Sequence, residues 1–568
     1  MSQKLKIQKD KNHYEYREER QKWVSYLPSK LFYKYGPRPI FEYLSIYAKE
    51  YPDRPGLIFY GTNITYKQWD DYSNCVAQFL KSFGIKKGDR VAIFLPTFPG
   101  FAIVYMGVLK IGAIVVPCSP AFKEAELEYQ IKDSSPRVLF CLDEYMHVVM
   151  PVLKKFEIEM VITMGYRDFL NPENWDGVPA EIMKERVFFP STFELKDIFN
   201  KFPPHSPEIF IDIQNDIALI IYTGGTTGLP KGAIHTYETQ LYKTASRAQI
   251  NFYNFFKENM PNYVIQATPI YHISGMLQFN TYLYQGLSII MFPHFHAIDV
   301  LKAIHRYKPE YIFTSTPMNV AMMNNPEINN FTLRSIRRNM IASLGMQLTE
   351  EIAAQWGKYI AREAQIAEHS YGLTETHTGD TFMPLDRPVK WGSVGIPAYG
   401  EKIKIVSLEN KKKVLTKGEV GEIAVFSPSN FKGYWRRPKE TSETLIDGWV
   451  YTGDIGRFDA DGYLYFLGRR KEMIKVSGYS VFPEEVELLM RKHPAVDNCG
   501  VKGIPDSRRG EVVKAAVVLK KEFKGKITPA ELIQWAEKNM SYYKVPKIIE
   551  IRESLPITGT GKILRRLL

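Results

Sequence analysis

Cysteine is scarce: Cys75, Cys118, Cys141 and Cys499 are the only four in 568 residues, and they stand far apart with no Cys-x-x-Cys pair. This spacing argues against a disulfide framework and suits reduced, structural thiols in a cytoplasmic protein. Long apolar runs are also lacking. The most hydrophobic helical stretch, Phe101 to Leu109, stops at Lys110 and is too short to cross a bilayer, so no transmembrane segment is expected. The charged N-terminus does not read as a signal peptide. No internal repeat or low-complexity tract interrupts the chain. A clustered positive charge is missing as well: the formal charge is +12, but the bases are spread along the whole length, and even Lys4 to Lys22 interleaves Glu and Asp. A nucleic-acid arm is therefore not expected, whereas a diffuse positive field favours small polyanions in a cleft.

What is present is the composition of a globular enzyme, 45% hydrophobic and 24% charged, at a length that calls for several subdomains. The first two-thirds alternates short apolar runs with helical patterns, which indicates α/β units on largely parallel sheets. Buried strands are expected at Val91–Leu95, Ala113–Val116, Val138–Leu142, Ala218–Tyr222, Val264–Thr268 and Tyr311–Thr314, all without polar alternation. From about Lys402 the pattern changes to short alternating strands such as Lys402–Val406 and Glu422–Phe426, a small β-rich subdomain. The charged run Gly468 to Glu472 follows Tyr463–Leu467 and reads as an exposed linker into a compact α+β module. In that module Thr528-Pro529-Ala530-Glu531 predicts a capping box at a helix start.

The most informative segment is Tyr222-Thr223-Gly224-Gly225-Thr226-Thr227-Gly228-Leu229-Pro230-Lys231-Gly232, entered from an apolar strand. Glycines let backbone N–H groups approach phosphate oxygens, the threonine hydroxyls add donors, and Lys231 adds charge. It is not the loop of P-loop NTPases, which needs Gly directly before its Lys and Ser or Thr after it; here Pro230 precedes and Gly232 follows.

At these residues the chain resembles the adenylate-forming superfamily of acyl-CoA synthetases, luciferases and peptide-synthetase adenylation domains. The match continues in order through Tyr371-Gly372-Leu373-Thr374-Glu375, Gly392-Ser393-Val394-Gly395, Tyr451-Thr452-Gly453-Asp454, Gly468-Arg469 and Leu555-Pro556-Ile557-Thr558-Gly559-Thr560-Gly561-Lys562, and it is weakest in the first forty residues. The resemblance implies an α/β fold: a large N-terminal domain of two βαβ-type subdomains plus a small β-rich subdomain, with a smaller, mobile α+β C-terminal domain. The expected divisions are an extension over 1–40, the large domain over 41–468, a hinge over 469–471 and the small domain over 472–568.

The implied reaction joins a carboxylic acid to ATP as acyl-AMP and passes the acyl group to coenzyme A. A carboxylate attacking the α-phosphate needs its charge and that of the phosphates neutralised. The resemblance gives the pyrophosphate end to Thr223, Thr226, Thr227 and Lys231 together with the glycines Gly224, Gly225 and Gly228. It gives Mg²⁺ to Glu375 with Thr227, in keeping with a hard cation that takes one carboxylate plus phosphate oxygens. Tyr371 would stack on adenine, with Gly372 and Thr374 beside it. The segment Ser343-Leu344-Gly345-Met346-Gln347 would offer Gly345, Met346 and Gln347 to the purine edge, although it departs from the family's Gly-Gly-Ala-Pro pattern. Asp454 would hold the ribose diol, with Arg469 as second contact. Lys562 would bridge the attacking carboxylate and the α-phosphate; read alone it belongs to a basic tail with Arg565 and Arg566. Lys471 stands at the family's hinge position, and Gly478 would line the pantetheine tunnel or else be a plain turn glycine.

For the acid, His272 and Ser274 in Pro269-Ile270-Tyr271-His272-Ile273-Ser274 would edge the acyl pocket, and no Asp is present there to pair with an amino acid's ammonium group. Gly372 replaces the bulky Trp of acetate-specific relatives, which predicts an acid longer than acetate: a medium-chain fatty acid, or a short hydroxy acid such as 4-hydroxybutyrate if Ser274, Ser315 and Thr316 make the wall partly polar. The chain ends directly after the lysine motif, so the acceptor is expected to be a separate molecule. Rival readings are a ligase that loads a separate carrier protein, a luciferase-like oxygenase and a non-enzymatic nucleotide-binding protein. An oligomer is compatible with each.

Overall fold

A computed structural model describes residues 24–568 except 224–228, 254, 256–262, 345, 478, 507 and 559–561. The expected apolar runs form strands with ends shifted by a residue or two: Arg90–Phe94, Ile114–Pro117, Val138–Leu142 and Ile217–Tyr222 lie in one seven-stranded sheet. This sheet is parallel until its last pair, where Ile217–Tyr222 runs antiparallel to Gly232–Thr236. A second, four-stranded sheet pairs Tyr263–Gln266, Ser288–Met291 and Pro55–Phe59 in parallel and adds Thr62–Thr65 antiparallel. A third is wholly parallel: Tyr311–Ser315, Arg338–Ala342 and Gln365–Glu368. Helices cover these sheets on both faces, which is why their strands carry no polar alternation.

The helix Pro99–Lys110 is buried along its entire length, Lys110 included. Its lysine does not end the apolar stretch at a water boundary; its Nζ lies 2.6 Å from both Asp70 Oδ1 and Asn74 Oδ1 inside the core. The helix ends instead at Ile111 and Gly112, the latter at φ +69°. No helix among the described residues is long and apolar enough to cross a membrane. All four cysteines are free and buried.

The β-rich subdomain is a five-stranded antiparallel sheet built on Lys402–Val406, Gly421–Phe426 and Trp449–Phe458, with Leu464–Arg469 at one side. Beyond it, a three-residue helical turn at Arg470–Glu472 leads into a unit with its own core of Val481, Val486, Val501, Val517 and Leu532. The helix Pro529–Asn539 opens on the expected box: Thr528 Oγ1 accepts from the Glu531 N–H at 3.3 Å, and the Thr528 N–H donates to the Glu531 carboxylate at 2.7 Å. The molecule therefore comprises a large N-terminal α/β domain and a smaller C-terminal one.

Candidate active site

The loop after Ile217–Tyr222 closes at its base where the Thr223 N–H donates to the Lys231 carbonyl at 2.9 Å and the Lys231 N–H donates to Thr223 Oγ1 at 3.3 Å. Gly232 is required there, since a Cβ would stand 2.6 Å from Ile220 Cγ2. Gly224, Gly225, Thr226, Thr227 and Gly228 lie outside the described residues, as do Gly345 and Gly478. Lys231 Nζ sits 4.1 Å above the ring centre of Tyr434, and the Tyr434 hydroxyl donates to Glu375 Oε1 at 2.5 Å. One aromatic ring thus spans the loop lysine and the glutamate expected to hold the metal, a cation–π contact on its face and a hydrogen bond at its tip. Nothing in the spacing of the sequence pointed to Tyr434.

Glu375 lies on a segment that leaves the third sheet at Glu368 and turns back sharply: His377, Thr378 and Gly379 have φ of +61°, +52° and +71°. Two non-glycine residues in the left-handed region persist only where the surroundings hold them, and here the surroundings are ionic. Lys243, on the helix Tyr237–Phe252, places Nζ 2.8 Å from Asp380 Oδ1 and 2.7 Å from Glu401 Oε1, all three side chains being fully buried. The Thr376 hydroxyl donates to Asp380 at 2.6 Å, and the buried Arg247, one turn along the same helix, donates to the Gly379 and Thr381 carbonyls. His235 Nε2 donates to the Thr374 carbonyl at 2.8 Å. Burial raises the carboxyls of Asp380 and of Glu401, the latter to about 7, with Lys243 opposing the rise. Burial also holds His235 down to about 4 and His377 well below the usual imidazole range, so both rings are neutral at pH 7. Gly372 packs on this turn: a Cβ would meet Gly379 N at 2.5 Å and Thr378 Cα at 2.6 Å. Backbone thus occupies the direction that a side chain at 372 would take.

The β-rich sheet supplies the next group. Asp454 and Arg469 face each other across the pair Trp449–Phe458 and Leu464–Arg469, with Arg469 Nε 3.0 Å from Asp454 Oδ1. Tyr371 donates its hydroxyl to Asp454 Oδ2 at 2.7 Å, so the residues expected at adenine and ribose are tied to one another. Asp454 is 2% exposed and its Oδ1 receives no aligned hydrogen bond among the described residues, which leaves accepting capacity in the site. Burial raises its carboxyl, with Arg469 opposing. At the end of the third sheet, Ser343 donates both its N–H, at 3.1 Å, and its hydroxyl to Glu368, whose carboxyl burial lifts to about 7. Glu368 has no motif around it and escaped the sequence reading. Met346 and Gln347 are half-buried just beyond, the Gln347 amide lying beside Gly392.

From the second sheet's side comes His272, the N-cap of Ile273–Gln285, whose Nδ1 lies 2.8 Å from Ser274 Oγ. Burial, aided by the charge of Lys562, holds this imidazole down to about 3 and keeps it neutral. Lys562 itself is tied to Thr558: the Thr558 N–H donates to the Lys562 carbonyl at 2.8 Å and the Lys562 N–H to Thr558 Oγ1 at 3.1 Å. Lys562 is solvent-exposed, while protein groups crowd its ammonium. That enclosure and Arg469 lower its ammonium pKa, while Asp454, Glu472 and Glu375 oppose the change. Lys562 from the small domain therefore enters the electrostatic neighbourhood of Asp454, Arg469, Glu375 and His272. Arg565, three residues on, docks on Glu472, Glu484 and Glu487. Lys471 is exposed in the turn between the domains. Gly468, at φ +142°, leaves room for Glu484, whose Oε2 would stand 2.4 Å from a Cβ.

With this geometry in view, comparison with known proteins is decisive. The AMP-binding enzyme family matches residues 44–435, and the AMP-binding enzyme C-terminal domain matches 485–562. The chain belongs to the adenylate-forming acyl-CoA synthetase family. It is 33% identical over 525 residues to a long-chain-fatty-acid–CoA ligase of Bacillus subtilis, covering 91% of this chain and 92% of that protein. A feruloyl-CoA synthase of an Amycolatopsis species is 30% identical, over 89% and 93% of the two chains. Among solved structures, an anthranilate CoA ligase in complex with anthranoyl-AMP superposes with a TM-score of 0.80 at 25% identity, over 93% of this chain and 96% of that one. ATP-bound MatB of Rhodopseudomonas palustris gives 0.79 at 25% identity, over 93% and 98%.

Proposed function

We propose that this protein is an AMP-forming fatty-acid–CoA ligase. The observation that carries this reading is that the ammonium of Lys562 lies within electrostatic reach of Asp454, Arg469, Glu375 and His272. In the first half-reaction Asp454 and Arg469 receive the ribose, and Thr223 and Lys231 receive the pyrophosphate end of ATP. Lys562 lies between the attacking carboxylate and the α-phosphate and reduces their repulsion as the bond forms. His272 is neutral; with Ser274 donating to Nδ1, its Nε2 carries the proton and can donate to the acyl-adenylate.

The residues fit Mg²⁺ brought with ATP. Glu375 is a single half-buried carboxylate whose Oε2 makes no hydrogen bond among the described residues, the donor set of a cation that otherwise keeps phosphate oxygens and water. Such an ion would draw charge from the phosphates. In the second half-reaction the C-terminal domain turns about Lys471, withdrawing Lys562 and presenting the segment of Gly478 to coenzyme A.

The bacterial relatives named for long-chain fatty acids, over nine-tenths of both chains, support a long aliphatic acid. The backbone packed against Gly372 removes the reason to infer pocket depth from that glycine. The test is a panel from acetate through 4-hydroxybutyrate and octanoate to palmitate, scored for AMP release that requires both ATP and coenzyme A. Highest kcat/KM for the long acids is expected. Turnover confined to the short hydroxy acid would refute the substrate class, and AMP release without coenzyme A consumption would refute the acceptor.

A further inference from the structure

The third sheet has a second feature at its other end. Its strands begin at Tyr311, Arg338 and Gln365, and there a cavity of about 660 Å³ is lined by Arg334, Arg337, Arg338 and Arg362, with Tyr26 and Phe255 as aromatic walls. Ser343 and Glu368 stand at the opposite ends of two of these strands, about 17 Å beyond Arg338 and about 10 Å beyond Gln365 at the usual rise per residue.

Among the described residues the charge in this cavity is only partly matched. Arg338 is 5% exposed and stacks on Phe255, its guanidinium carbon 4.1 Å from the ring centre. It donates to the Gln365 side chain at 2.8 Å and to the Asn251 carbonyl, and no carboxylate among the described residues forms an ion pair with it. Arg334 donates to the Ile360 carbonyl, and Arg337 lies 3.6 Å from Glu310. Arg362 is exposed and has no partner among the described residues. Of the acids on the wall, Asp386 is taken by the Ser25 N–H at 3.1 Å and by Arg387 at 3.0 Å, which leaves Glu363, among the described residues, against Arg334, Arg338 and Arg362. A guanidinium withdrawn from water without a counter-charge is costly, and burial already pushes Arg338 down to about 10.

We propose that this cavity binds a small molecule bearing two or more phosphate groups, at a site separate from the catalytic cleft. Guanidinium forks match phosphate oxygens bidentately, the aromatic walls suit a base or another flat ring, and the volume lies within the range of small-molecule sites. Because Arg338 and Gln365 head strands that end in the catalytic segments, an occupant here would act on the cleft as a regulator.

The experiment uses the full chain with its catalytic cleft filled by a non-hydrolysable acyl-sulfamoyl adenosine. Inorganic tripolyphosphate and ADP are then titrated separately by calorimetry into the wild type and into the Arg334→Glu, Arg362→Glu double variant. The expected result is one equivalent bound by the wild type that the variant binds about tenfold or more weakly, as charge-assisted contacts imply. Binding of ADP alone would add a requirement for the base, and binding of tripolyphosphate alone would show that phosphate suffices. Either supports the site. No binding, or equal binding by both proteins, overturns it. If the double variant fails to take up the adenosine mimic, Arg362→Ala replaces it: that exposed side chain carries no fold, and its loss should weaken binding about threefold or more. Unchanged affinity in Arg362→Ala would equally overturn the proposal.

Discussion

Replacing Lys243 by Met leaves two carboxylates, Asp380 and Glu401, facing each other where an ammonium stood 2.8 and 2.7 Å from them. All three side chains are fully buried, so water cannot take over the role of the lysine. Removing one partner of such a group costs about 3–5 kcal/mol, because the remaining charges stay desolvated. A large domain of about 430 residues has an unfolding entropy of about 0.9 kcal/mol/K, so this cost lowers Tm by about 3–6 °C. The change is also directional. Asp380 receives the Thr376 hydroxyl, and Thr376 adjoins Glu375, so the variant should raise KM for ATP more than it lowers kcat. Calorimetry of the full chain and ATP saturation kinetics read the two effects. Adding Glu401→Gln to Lys243→Met removes the second uncompensated charge and should recover about 1–2 kcal/mol of the loss. A Lys243→Met protein within about 1 kcal/mol of wild type, or a double variant less stable than the single, would refute the ionic account of how the catalytic turn is held.

Three further outcomes follow from the site. Lys562→Ala should reduce acyl-AMP formation by about 100-fold or more yet spare thioester formation from supplied acyl-AMP; equal loss of both would show that the lysine does not act in the first half-reaction. Asp454→Asn should lower kcat/KM for ATP by about 10–100-fold and abolish discrimination against 3′-deoxy-ATP, which steady-state kinetics with the two nucleotides would reveal. The Glu401 carboxyl is raised to about 7 in the folded protein, so its contribution to stability is present below the ordinary carboxylate range and is lost as pH rises through 7. Melting curves from pH 5 to 8 should therefore fall more steeply for wild type than for Glu401→Gln.

Much of this protein can be read locally. The phosphate loop announces itself because its chemistry depends on near neighbours in the chain, glycines beside donors, whereas Glu375, Asp454 and Lys562 are picked out by the resemblance of the motifs around them. Strands such as Val138–Leu142 and the Thr528 capping box are likewise set within a few residues, by apolar continuity and by one side chain reaching one N–H. The groups that hold the site in shape are different. Lys243 and Asp380 are 137 residues apart, and Lys243 and Glu401 are 158 apart. In the sequence Lys110 looks like the end of an apolar run, and no motif marks Lys243 or Arg247. Their burial depends on carboxylates and carbonyls delivered by other elements, as does the ring of Tyr434 between Lys231 and Glu375. Local sequence thus marked the residues proposed to meet phosphate, ribose and the carboxylate. Only the tertiary structure decided how these residues are held, because a buried charge is tolerable solely where distant segments bring its partner, and no pattern along one segment records that meeting.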